Sequence, residues 1–128
     1  MSIIENAPRK LVAGLLMSKS EKTGRRYTIK DKYNRIWGCF YVVKEEFGHI
    51  YGYLKPTDCF DEVKQLFIEH EKAFLSPDGD TNITAHKIIQ LGAYLVDNSS
   101  GEYVDISSTI FVSKELLVSC AISPRRAE

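Results

Sequence analysis

The chain has 128 residues, is 44% hydrophobic and 27% charged, and balances 17 basic against 17 acidic residues to a formal net charge of zero. These figures lie near the averages for globular proteins, which excludes a chain disordered throughout, and the length suits one domain rather than two. With no net charge, the molecule as a whole carries no field that calls for a polyanionic partner.

Cys39, Cys59 and Cys120 are an odd number of cysteines with no close pair. They read as free thiols, not as a disulfide framework or a zinc site. Residues 1–10 lack the apolar core of a signal peptide, and no run approaches the ~18 apolar residues that span a bilayer. A reducing, cytoplasmic setting is expected.

In chain order, residues 1–8 form a loose lead-in ending at Pro8. Leu11–Met17 is a short apolar run holding Gly14 and reads as a strand, followed by a polar loop around Gly24. Tyr27–Lys32 alternates, with Tyr27 and Ile29 on one face and Thr28, Lys30 and Lys32 on the other, the pattern of a half-buried strand. Tyr33-Asn34-Arg35 supplies a turn, since Asn tolerates the left-handed conformation.

Ile36–Lys44 is apolar on both faces, as expected of a central strand covered on both sides. Glu45–Gly48 turns the chain, and His49–Leu54 returns with His49, Tyr51 and Tyr53 on one side. Together these segments read as a three-stranded meander.

Pro56 ends the pairing, Thr57 or Asp58 can cap a helix, and Asp61 and Glu62 place negative charge in its first turn. Phe60, Val63, Phe67 and Phe74 recur at helical spacing with Leu66 alongside, predicting a helix over 58–75. His70, between Glu69 and Glu71, reads as a surface residue. Ser76–Asp80 stops the helix.

Residues 84–97 are ambiguous. Ala85, Ile88, Ile89 and Gly92 fit a helical stripe, whereas the β-branched content and Tyr94-Leu95-Val96 fit a strand. Strand is preferred, because Asn98–Gly101 makes a good hairpin turn to a partner at 102–106. Residues 109–112 and 116–122 read as two more strands, and 123–128 as a loose tail. The expected fold is α+β: a mostly antiparallel sheet of six to eight strands, with one main amphipathic helix packed on its face.

Lys19, Lys22, Arg25, Arg26, Lys30, Lys32 and Arg35 crowd residues 19–35 against Glu21 and Asp31 alone, so this segment is positive and the remainder equally negative. Tyr27, Tyr33 and Trp37 lie among or beside these cations. Segregated charge beside aromatics, with no catalytic motif, points to a non-catalytic module that docks on a macromolecular partner: an inhibitor, an immunity or antitoxin-like protein, or a regulatory subunit. The expected partner-binding residues are Arg25, Arg26, Tyr27, Lys30, Lys32, Tyr33, Arg35, Trp37, Tyr51 and Tyr53.

Two alternatives compete. Residues 19–37 could bind single-stranded nucleic acid through cations and stacking aromatics. A small enzyme or ligand-binding domain could instead use a pocket near His49, Tyr51 and Tyr53, where a histidine could move a proton and a tyrosine position a substrate. Asp78-Gly-Asp80-Thr-Asn82 begins like a calcium loop, but Ile83 and Ile89 stand where such a loop needs its glycine and bidentate carboxylate. It reads as a polar turn, and no metal or cofactor is expected.

Overall fold

The computed structural model of the chain describes residues 24–123. The strand expected at 11–17, the cations Lys19 and Lys22 and, apart from Ser123 at the end of the last strand, the tail expected at 123–128 lie outside them. Seven strands follow in order: β1 (Arg26–Lys30), β2 (Ile36–Glu46), β3 (His49–Pro56), β4 (Tyr94–Asp97), β5 (Tyr103–Ile106), β6 (Phe111–Val112) and β7 (Leu117–Ser123). Between β3 and β4 lie a 3-10 turn at Asp58–Phe60 and two helices, α1 (Asp61–Leu75) and α2 (Asn82–Gln90).

Every pairing is antiparallel, and β3 pairs with β7 as well as with β2. The sheet therefore closes into a six-strand ring, β1-β2-β3-β7-β5-β4, with the short β6 added along β7. The mixed α+β class expected from the sequence stands, but the sheet is a closed barrel rather than an open layer. Closure leaves β1, β2 and β3 with both edges paired, so none offers a free row of backbone donors and acceptors.

The inward face follows the pleat. Tyr27 and Ile29 of β1, Phe40 and Val42 of β2, and Ile50 and Leu54 of β3 are buried, while Arg26, Thr28, Tyr41, Tyr51 and Tyr53 point outward. Strand β2 is not a two-faced central strand, and two bulges explain why it reads like one. The register skips Trp37 between the Ile29↔Gly38 and Lys30↔Ile36 pairs, and skips Val43 between Val42↔Gly52 and Lys44↔Tyr51. Each bulge lets an odd-numbered side chain join the even-numbered ones in the interior. Gly38 has φ +151, which suits the first bulge. At the second, a Cβ on Gly52 would overlap the Tyr41 carbonyl, so only glycine allows β3 to lie this close.

The helix expected at 58–75 is present, entered through the 3-10 turn. Thr57 Oγ1 accepts from Cys59 N, at 3.2 Å, and starts it. The helix leaves β3 at Pro56, and its Phe60, Val63 and Phe67 join Trp37, Ile29 and Leu54 in one core, so it closes an end of the barrel.

Two details differ from the sequence reading. Phe74 is 66% exposed, with its ring tilted against Phe111 at 5.7 Å between ring centres. His70 is 7% exposed rather than a surface residue. Phe74 stays on the Phe67 side of the helix but falls in its last turn, and His70 is the last residue of the helix that is buried.

The segment 84–97 divides. Asn82–Gln90 is helical, with Ile88 buried, and only Tyr94–Asp97 is a strand, paired with β1. The helical stripe outweighed β-branched propensity because Ile88 completes the core beneath α1, a tertiary contact that local preference does not register. Asp80 Oδ1 accepts from Asn82 N, at 2.9 Å, so the stretch that begins like a calcium loop instead starts α2. The expected turn at 98–101 forms, with Asp97 Oδ1 accepting from Ser99 N, at 2.8 Å, and Gly101 at φ +78.

Candidate docking surface

The residues expected to form one basic and aromatic cluster are dispersed. Trp37 is wholly buried, ring edge against Phe67 at 5.4 Å, and Tyr27 is buried with its hydroxyl accepting from Arg25 at 3.1 Å. Inward parity places Tyr27 there and the first bulge places Trp37 there, so neither serves as a surface anchor. Burial raises the pKa of Tyr27, against the lowering effect of Arg25.

Arg25 also pairs with Glu45 at 3.0 Å. Arg35 pairs with Asp31 at 2.8 Å and Glu62 at 3.3 Å. Lys32, Tyr33 and Arg35 occupy the β1–β2 turn, where both cations lie over the Tyr33 ring, at 5.3 and 5.0 Å. That turn is at the opposite end of β1 from Arg25 and Arg26. The docking residues expected from sequence therefore form no single patch.

The barrel instead brings together a wall that the sequence reading saw only in part. Arg26, Tyr41 and Tyr53 are directly opposite one another on β1, β2 and β3. The Tyr41 and Tyr53 rings stack at 4.9 Å and 9°, and the Arg26 guanidinium lies 5.8 Å from the Tyr41 ring centre on its other side. One row along, Lys44 lies over Tyr51 at 5.9 Å, and Tyr51 stacks on His49 at 5.2 Å. One row the other way, Lys55 is opposite Cys39. Beside Cys39, Asn98 Nδ2 donates to its Sγ at 3.6 Å, and Thr28 Oγ1 donates to Asn98 Oδ1 at 2.8 Å. Partial burial in the stack raises the pKa of Tyr53, helped by Tyr41 and Cys39 and opposed by Arg26.

The charged side chains exposed or half-buried on β1–β3 are Arg26, Lys30, Lys44 and Lys55, with two acidic ones at the hairpin end of β2: Glu45, paired with Arg25, and Glu46, 3.4 Å from Lys44. Among the described residues no carboxylate pairs with Arg26, Lys30 or Lys55.

Phe47 stands at the tip of the β2–β3 hairpin, fully exposed, with φ +53, and Gly48 beside it has φ +80. Two successive left-handed residues favour Asn-Gly, and a bulky phenylalanine there carries a steric cost and buries nothing in return. Tyr41, Lys44, Phe47 and Lys55 were not legible as site residues from sequence. Strand parity puts Tyr41 on the same side as Tyr53, but only the register makes them neighbours.

His49, Tyr51 and Tyr53 stand on this convex wall. His49 and Tyr51 meet ring face to ring face, not nitrogen to hydroxyl. A cleft of about 200 Å³ lies elsewhere, between α2 and the β5–β6 connection, lined by Ile88, Ile89, Ala93, Ile106 and Ile110. Those three residues take no part in it. Among the described residues no three His, Cys, Asp or Glu side chains gather as a metal site, and no helix is long and apolar enough to cross a membrane. No family model, no curated protein and no solved structure matches the chain.

Proposed function

We propose that this protein is a non-catalytic module that docks on a macromolecular partner through the outer wall of β1–β2–β3 and the adjoining Phe47 tip. The observation that carries this reading is the cross-strand stack Arg26–Tyr41–Tyr53 beside Lys44–Tyr51–His49. Tyrosine and arginine held rigid by stacking lose little side-chain entropy on binding, which is why they serve as interface anchors. Phe47 supports the same reading: a strained, solvated aromatic is a cost to the free protein that contact with a partner would offset.

Site-specific photo-crosslinking in the producing cell tests the proposal. A photo-reactive phenylalanine at position 51 should give one discrete adduct, and the same residue at exposed Lys87 on α2 should not. The reading fails if position 51 gives no adduct, or if both positions give the same pattern.

A further inference from the structure

We infer, building on the docking reading above, that the partner is a protein presenting a cluster of carboxylates, and that single-stranded nucleic acid is not the ligand of this wall. The argument rests on what the stacking leaves free. A base-binding platform needs an aromatic ring face open to a base. Tyr41 is flanked in the register by Arg26, whose guanidinium lies over its ring, and by Tyr53, stacked on it. Tyr51 has Lys44 over it and His49 against it. The remaining face of Tyr53 turns towards β7, where Leu117 is its register partner. Apart from Phe47 at the hairpin tip, the wall therefore presents ring edges, phenolic hydroxyls and cations to a ligand.

Those are groups that recognise carboxylates. Guanidinium and ammonium groups supply charge-assisted hydrogen bonds, and phenols donate to the same oxygens. Lys55, Arg26 and Lys44 lie in three successive register rows on three different strands, β3, β1 and β2, so they spread the positive charge both along and across the wall. Among the described residues, Arg26 and Lys55 have no carboxylate partner. Closure of the barrel removes strand addition on β1–β3 as a route, since both edges of each strand are already paired. Recognition must run through these side chains.

Nuclear magnetic resonance titration of the full chain at low salt with a short oligo-glutamate peptide tests this, with an oligothymidylate of equal length in parallel. Oligo-glutamate should shift resonances of Arg26, Tyr41, Tyr53 and Lys55 and leave those of α2 in place. The affinity should fall about tenfold when salt is raised to a level that screens exposed charges. It should fall about tenfold again in the Arg26→Ala/Lys55→Ala variant, both positions being exposed and so compatible with an intact fold. The inference is overturned if oligo-glutamate shifts nothing on the wall, or if oligothymidylate shifts Tyr41 and Tyr53 more strongly. The crosslinking above separates the two failures. An adduct at position 51 without an oligo-glutamate response keeps docking and removes the carboxylate partner, whereas no adduct removes both.

Discussion

Trp37 Nε1 donates to Asp31 Oδ2 over 3.0 Å, and this bond joins the indole at the centre of the core to a carboxylate with no exposed side-chain surface. The same carboxylate accepts from Arg35 Nε at 2.8 Å and from the backbone N–H groups of Tyr33 and Arg35, at 2.9 and 3.1 Å. One side chain thereby fixes the β1–β2 turn and the orientation of the tryptophan on which α1 packs. Burial by itself would raise the carboxyl's pKa, but donation by Trp37, Arg35 and Tyr33 outweighs it and holds the group below the usual carboxylate range.

Asp31→Asn should therefore cost about 2–4 kcal/mol in urea unfolding, because it leaves Arg35 without its buried partner and mismatches at least one donor. The folded pKa is depressed. The stabilisation is thus complete above the unfolded value near pH 4 and is lost as pH falls through the folded one. The wild type should lose stability steeply in acid, and the part of that slope belonging to Asp31 should vanish in the variant. An unchanged acid limb would count against this account.

His70 gives the complementary case. Thr84 Oγ1 donates to the Thr81 carbonyl at 3.2 Å, so at the 2.6 Å contact the ring Nδ1–H is the donor to Thr84. Burial lowers the pKa of the imidazole. The unfolded chain takes up its proton near pH 6.5 and the folded chain only at lower pH, so stability is lost as pH falls below that value. His70→Gln should flatten unfolding free energy between about pH 6.5 and 5 relative to wild type. Equal slopes would show that the site does not carry this dependence.

At the second bulge, Gly52→Ala should destabilise by about 3 kcal/mol, because the new methyl meets the Tyr41 carbonyl and the Phe40 ring with no room to turn. Thermal melting checks it. A small change would mean that β2 and β3 can separate locally without cost.

Phe47→Asn should act in the opposite sense. The tip would gain about 0.5–1 kcal/mol in unfolding experiments, since asparagine adopts φ +53 far more readily than phenylalanine. The same variant should weaken the adduct formed at position 51. Stability gained together with docking lost is the outcome expected of a residue kept for its partner.

The thiols should separate cleanly under native labelling at pH 8. Burial pushes the Cys120 thiol up to about 12, which leaves on the order of one part in ten thousand as thiolate. Cys39 and Cys59 are half-buried and should react with a small alkylating reagent, while Cys120 should react only on unfolding. Labelling of all three at the same rate would contradict the buried position of β7.

Local order determined much of the chain. Alternation at Tyr27 and Ile29, the left-handed Asn34 at φ +68, the hairpin around 45–48 and the helix from Thr57 onward were all legible because each depends on residues within a few positions of one another. Closure of the barrel, the two bulges in β2, the helix at 82–90 and the burial of His70 were not, because each depends on partners far away in sequence. Tyr53 meets Tyr41 through a strand register, and β7 meets β3 across more than sixty residues of chain. The charge pattern shows the same divide. Composition located the cations, but only the tertiary register decided that Arg25 and Arg35 would pair with carboxylates while Arg26 and Lys55 face outward with no carboxylate partner among the described residues. Ion pairing depends on distance in space, and distance in space is what a linear pattern leaves open.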